Sequence, residues 1–124
     1  MIISQTLRRA VQQHPNGTAT IYKNRKQSWR EFEGRVARLA AGLLSLGIER
    51  GTRIAILSLN SDRYLEYFYA VPWAGAALNP VNIRLAPPEI AFTLNDSGSS
   101  ILFVDDTFSA MLPKLRPLLD SVEH

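Results

Sequence analysis

Ser58-Leu59-Asn60-Ser61 is the stretch whose residue types and place in the chain come nearest to ligand chemistry, because it follows an apolar run and precedes a helix start. Backbone N–H groups at such a junction can meet an anion, helped by the helix dipole. The loop lacks the glycines that let a phosphate approach the backbone closely, so no nucleotide fingerprint is present. Gly47 and Gly51 do not supply one, since they follow a helix rather than a strand. Asp105 and Asp106 are adjacent acids at a predicted helix start, where capping is the expected role ahead of catalysis. His14 and His124 stand far apart in the chain without companions at ligand spacing, which points to loop or surface positions. No Ser/His/Asp or Glu/His pattern marks a nucleophile or a metal site. The basic run Lys23-Asn24-Arg25-Lys26 reads as a solvated hairpin turn leading to Gln27.

The elements that would position these residues are clearer than the residues' chemistry. Ser28 stands three before Glu31, the capping-box spacing, so a helix is predicted from Trp29. Trp29, Phe32, Val36, Leu39, Ala40, Leu43 and Leu46 recur at three- and four-residue steps as one apolar stripe, with Glu31 placed to pair with Arg35 on the surface. Gly47 ends that helix in the left-handed conformation, and Ile48 is placed to touch Leu43. Gly34 and Gly42 each cost the helix about 1 kcal/mol against Ala, and close packing against a neighbour is the expected reason. From Arg53, Ile54-Ala55-Ile56-Leu57 is continuously apolar, as in a strand covered on both faces of a parallel sheet.

Earlier in the chain, Ile3, Leu7, Ala10 and Val11 predict a short amphipathic helix with Ser4 as a candidate cap, and Thr18 to Tyr22 a strand. Later, Asn60-Ser61-Asp62 opens a helix whose apolar face is Leu65, Phe68, Tyr69 and Trp73, kinked or ended near Val71 by Pro72. Ala76-Ala77-Leu78 is a short strand, and Asn79-Pro80-Val81-Asn82 leads away from the sheet. Pro87-Pro88-Glu89 opens a helix that ends at Asn95 to Gly98, with Ile90 and Leu94 inward. Ile101 to Val104 is the next strand, and Asp105-Asp106-Thr107 begins a last helix carrying Phe108, Met111, Leu112 and Leu115, with Pro113 and Pro117 against it. Alternation of strands and helices predicts an α/β fold with a mainly parallel sheet.

At 124 residues, 46% hydrophobic and 20% charged, the chain has the composition of one folded domain with one core. The net charge of +3 comes from scattered basic residues without interleaved aromatics, so nucleic acid is not an expected partner. No Cys is present, which excludes disulfides and thiolate metal sites and fits a reducing interior. Met1-Ile2-Ile3-Ser4 lacks the charged start and long apolar core of a signal peptide. The longest uncharged apolar stretch, Phe68 to Leu78, is too short to cross a bilayer and contains Pro72 and Gly75. A soluble, cytoplasmic chain is the expectation.

A series of short pieces in fixed order carries a further signal. It runs from Ser28-Trp29 and Phe32 through Leu39-Ala40, Leu43, Gly47-Ile48, Gly51, Arg53-Ile54-Ala55-Ile56 and Asn60. It continues through Tyr69-Ala70-Val71-Pro72, Gly75-Ala76, Asn79-Pro80-Val81-Asn82, Arg84-Leu85, Pro88-Glu89-Ile90 and Leu94-Asn95-Asp96-Ser97. In order and spacing the series resembles the N-terminal segment of adenylate-forming acyl-CoA synthetases, over nearly the whole chain. The Ala70-Val71-Pro72 and Asn82-Ile83-Arg84-Leu85 pieces are most similar to the fatty-acid-CoA ligase branch. Thr52 departs from the family's usual Asp; either residue serves a turn.

The resemblance implies that residues 1–124 form an N-terminal α/β fragment of the AMP-binding large domain, an incomplete subdomain of the acyl-CoA synthetase fold. It implies a parent enzyme that uses ATP and magnesium to turn a fatty or other carboxylic acid into an acyl-adenylate, then transfers the acyl group to coenzyme A. The family's phosphate loop, its adenine- and magnesium-binding motif, its ribose-binding Asp and its C-terminal Lys have no counterpart in these residues. No catalytic, cofactor-binding or metal-ligating residue is therefore carried over, no cofactor is expected on this chain alone, and the chain alone is expected to be inactive. Asn79 and Asn82 are expected to bond loop backbone. A chain of this extent is expected to leave an unpaired edge or apolar face and to self-associate. The alternative reading is a free-standing interaction or scaffold domain that keeps the fold without the chemistry.

Overall fold

The structure is a computed structural model that describes residues 2–124; the side chains of Ile2 and Ile3, and with them the expected inward role of Ile3, lie outside the described residues. Contacts group the chain into two compact units rather than around the one core expected: the described residues up to Arg50 with Asn60–Ala76, and Gly51–Leu59 with Ala77–His124.

The first unit contains helix α1 (Ile2–Gln13), strands β1 (Thr18–Tyr22) and β2 (Arg25–Ser28), and helices α2 (Trp29–Ser45) and α3 (Asp62–Trp73). Because α1 begins at Ile2, Ser4 lies inside the helix and does not cap it. β1 and β2 pair antiparallel as a separate hairpin, with Tyr22 opposite Arg25. Arg25 and Lys26 therefore belong to a strand, and only Lys23 and Asn24 make the turn. α2 begins as its sequence predicts: Glu31 N donates to Ser28 Oγ (3.1 Å) and Ser28 N to Glu31 Oε1 (2.9 Å). Phe32, Val36, Ala40 and Leu43 are buried along the predicted stripe, whereas Leu46, already past the helix, is exposed. Leu7, Phe32, Val36, Ala40 and Ala70 form the unit's core, with Phe32 edge-on to both Trp29 and Tyr69.

α3 corrects the sequence reading. Its buried residues are Asp62, Glu66, Tyr67, Ala70 and Val71, while Leu65 and Phe68 are exposed and Tyr69 and Trp73 are partly buried. Two acids face inward because basic side chains meet them there. Glu66 accepts from Arg35 Nε (2.6 Å) and Nη2 (3.1 Å), from Arg63 Nη1 (3.1 Å) and from Gln27 Nε2 (3.2 Å). Asp62 accepts from Arg25 Nη2 at 2.6 Å. Arg35 is thereby bound to Glu66 and not to Glu31, whose carboxylate serves the cap. Pro72 lies inside the helix, which ends only at Trp73, one residue beyond the proline. Gly75, at φ 81°, closes it: its N–H donates to Pro72 O and that of Ala76 to Val71 O, the paired bonds of a Schellman ending.

The second unit holds a parallel sheet of β3 (Arg53–Leu57), β4 (Ala77–Pro80) and β5 (Ile101–Val104) in the order β4-β3-β5. The central strand aligns Ile54 with both Leu78 and Ile101. Ile54, Ala55, Ile56 and Leu57 are all buried, as a two-sided strand requires. β4 reaches Pro80, two residues past the predicted Leu78. Helix α4 (Pro87–Ser97) starts with Glu89 accepting from Ala86 N, half of a capping box because alanine offers no oxygen in return. Ala55, Leu57, Val81, Ile90, Ala91, Leu94 and Leu115 make the unit's core. The predicted last helix is broken: residues 106–108 form a turn, a 3-10 turn covers Ser109–Met111, α5 is one turn at Leu112–Leu115, and another 3-10 turn covers Arg116–Leu118. Pro113 and Pro117 supply no N–H for a continuous ladder. Phe108, Met111 and Leu115 nevertheless pack on the core as predicted.

Candidate functional site

Strand order locates the candidate site. The chain passes from β3 to β4 on one side and then places β5 on the other side of β3, so the direction of winding reverses between β3 and β5. In open parallel sheets the crevice beyond the carboxyl ends of such a pair is the usual ligand position. Ser58 and Leu59 follow β3, and Asp105 follows β5. The two sequence features singled out for chemistry therefore meet at this crevice.

They meet by bonding to one another. Leu59 N donates to Asp105 Oδ2 at 2.9 Å, and the Ser58 hydroxyl lies 3.1 Å from the same oxygen and 2.7 Å from Leu59 O. Phe108 N donates to Asp105 Oδ1 at 3.3 Å, and Asp105 N donates to Leu57 O at 3.2 Å. Asp105 thus holds the ends of two neighbouring strands together through both its main chain and its carboxylate. The donors that an incoming phosphate would use already face an internal anion, and a second anion would meet like charge. The residues at this crevice do not fit a triphosphate.

The other residues singled out are dispersed. Ser61 Oγ accepts from Tyr64 N and caps α3. Asp106 is exposed, and its main-chain oxygen accepts from Ser109 Oγ. His14 and His124 are both exposed, and among the described residues no group of three or more His, Cys, Asp or Glu is placed to hold a metal ion. Asn82 Oδ1 accepts from Arg84 N, a loop-backbone bond as expected, while Asn79 Nδ2 donates to the hydroxyls of Ser97 (2.9 Å) and of fully buried Ser99 (2.8 Å).

The sequence model of the family described as AMP-binding enzyme matches residues 7–124. The chain belongs to the AMP-binding enzyme family. It is 38% identical over 115 residues to a peroxisomal benzoate–CoA ligase of Arabidopsis thaliana, covering 93% of this chain and 20% of that protein. It is 37% identical over 99 residues to a long-chain-fatty-acid–CoA ligase of Thermus thermophilus, covering 80% of this chain and 18% of the relative. Among solved structures it superposes on a fatty acyl CoA synthetase of Mycobacterium tuberculosis with a TM-score of 0.87 at 30% identity, over 92% of this chain and 23% of that one. The fold is that of the N-terminal subdomain of acyl-CoA synthetases. The chain spans about a fifth of the length of the curated relatives it matches. Among the described residues, no helix is long and apolar enough to cross a membrane.

Proposed function

We propose that this chain is the N-terminal α/β part of an ATP-dependent acid–CoA ligase of the fatty-acid branch, acting in the cytoplasm. The complete enzyme converts a carboxylic acid and ATP into an acyl-adenylate and pyrophosphate, and then forms the thioester with coenzyme A. The observation that supports this reading is the family match over residues 7–124, together with relatives that are CoA ligases of aromatic and fatty acids. This segment's part in that activity is to supply a rigid layer. Asp105 ties β3 to β5 where the sheet winding reverses, while the groups that carry out adenylation and thioester formation come from residues outside this sequence. The test is a polypeptide extended from this chain through the family's phosphate loop and C-terminal domain, assayed for AMP release with coenzyme A and a panel of short, long and aromatic acids. Acid-dependent AMP release is expected, strongest with a fatty acid. An extended, folded product that releases no AMP with any acid would overturn the reading in favour of a scaffold that has kept only the fold.

A further inference from the structure

Six of the chain's fourteen basic residues, Arg25, Lys26, Arg30, Arg35, Arg38 and Arg63, line one groove of about 570 Å³ within the first unit. Three of them are engaged from beneath: Arg25 by Asp62, and Arg35 and Arg63 by Glu66. The one acid on the lining, Glu31, is bound to Ser28 N in the helix cap. The side chains of Lys26, Arg30 and Arg38 are exposed and meet no hydrogen-bond or ion-pair partner among the described residues. Six cations against Glu31, Asp62 and Glu66 leave an excess of +3, equal to the net charge of the whole chain. A concave surface of one sign focuses its field on a ligand more strongly than scattered charges do.

Gly34 is the second observation. It lies one helical turn from both Arg30 and Arg38 on the groove lining, inside α2, where glycine costs about 1 kcal/mol against alanine. Packing against a neighbouring element, the expected reason, is not what it serves: a Cβ there would meet only Arg38 Nη1, at 3.3 Å. The missing side chain keeps the lining open and lets the Arg38 guanidinium lie back across it.

We propose that this groove binds a small polyphosphate group, either free or as part of a nucleotide. Guanidinium forks suit phosphate oxygens, which accept two parallel N–H bonds from one arginine. Size decides against larger anions. The groove has the volume of a small-molecule site, and the eight-step helical rise from Arg30 to Arg38 is only about 12 Å, shorter than the cation track a nucleic acid or acidic peptide engages. The inference does not depend on the ligase reading, since it rests on the groove alone.

The test is isothermal titration of the 124-residue protein with tripolyphosphate, and separately with ATP, at fixed ionic strength and without magnesium. One-to-one saturable binding of tripolyphosphate is expected, weakened about tenfold or more by the double variant Arg30→Gln/Arg38→Gln and less strongly by Gly34→Ala. The charge-matched double variant Arg8→Gln/Arg9→Gln, exposed on α1, is expected to bind within about twofold of the parent. Equal affinity for ATP would identify the polyphosphate alone as the recognised group, and tighter ATP binding lost in the same variant would identify a nucleotide. Equal losses in the two double variants, no saturable binding, or tighter binding of single-stranded DNA at the same salt would overturn the proposal.

Discussion

Replacing Asp105 with Asn leaves one oxygen for Leu59 N–H and the Ser58 hydroxyl but removes the charge that strengthens those bonds and turns a donor toward Phe108 N–H. The expected cost is about 1–3 kcal/mol, read as a lower urea midpoint at unchanged slope. Asp106→Asn next to it, on an exposed side chain, is expected to stay within about 0.5 kcal/mol. Equal midpoints for the two variants would remove the strand-tying role of Asp105. Glu31 gives a pH-dependent counterpart. Hydrogen bonds from the Ser28 backbone, and next from its hydroxyl, hold the Glu31 carboxyl below its ordinary range. A depressed carboxyl stabilises the fold above its unfolded value of about 4.3 and loses that contribution as pH falls through the folded value. The difference in Tm between the parent and Glu31→Gln should therefore be present at neutral pH and close as pH drops below about 4. A difference that persists unchanged in acid would assign the effect to something other than the ionised cap.

At the scale of the element, two glycines in and beside α2 should respond with opposite signs. Gly47 has φ 78° just past the helix end, so alanine there meets left-handed strain and should destabilise by about 1 kcal/mol. Gly42 lies in the helix interior, and a Cβ there would meet nothing within 4 Å, so Gly42→Ala should stabilise by up to about 1 kcal/mol. Denaturation midpoints moving the same way in both variants would contradict the assigned helix end. The start of α2, its buried stripe and β3 were legible because each signal is local: a capping box, a 3.6-residue period, a continuous apolar run. The inner face of α3 was not legible, because a four-residue step of Asp62, Glu66 and Ala70 reads as polar until Arg35, Arg25 and Gln27 are known to arrive from elsewhere in the chain. The same non-local pairing hid the basic groove, whose cations come from β2, α2 and α3. Ser58 and Asp105 each stand out in the sequence, but only the parallel pairing of β3 with β5 puts the acid against the loop.

For the whole molecule, the family's fold is present in these residues, and its C-terminal strand edge is where a second copy can add. Among the described residues, the outer side of β5 meets the last residues of the chain, with Leu102 N donating to His124 O and Ser100 O accepting from Glu123 N and His124 N. Beside it lies a groove of about 600 Å³ that includes Leu102, Val104, Leu112, Leu119 and Val122. We propose that the isolated chain associates with a second copy through this side, so light scattering should show a mass that rises with concentration; a monodisperse monomer at high concentration would count against it. We propose that these residues do not adenylate an acid by themselves, since in-line displacement at phosphorus requires the acid, the triphosphate and magnesium to be held together with the charge neutralised, and a polyphosphate resting in the basic groove meets no such arrangement. The most direct measurement is fatty-acid-dependent exchange of labelled pyrophosphate into ATP by the purified 124-residue protein. No exchange above a no-enzyme control is expected. Exchange that titrates with this protein and survives repurification would contradict that proposal.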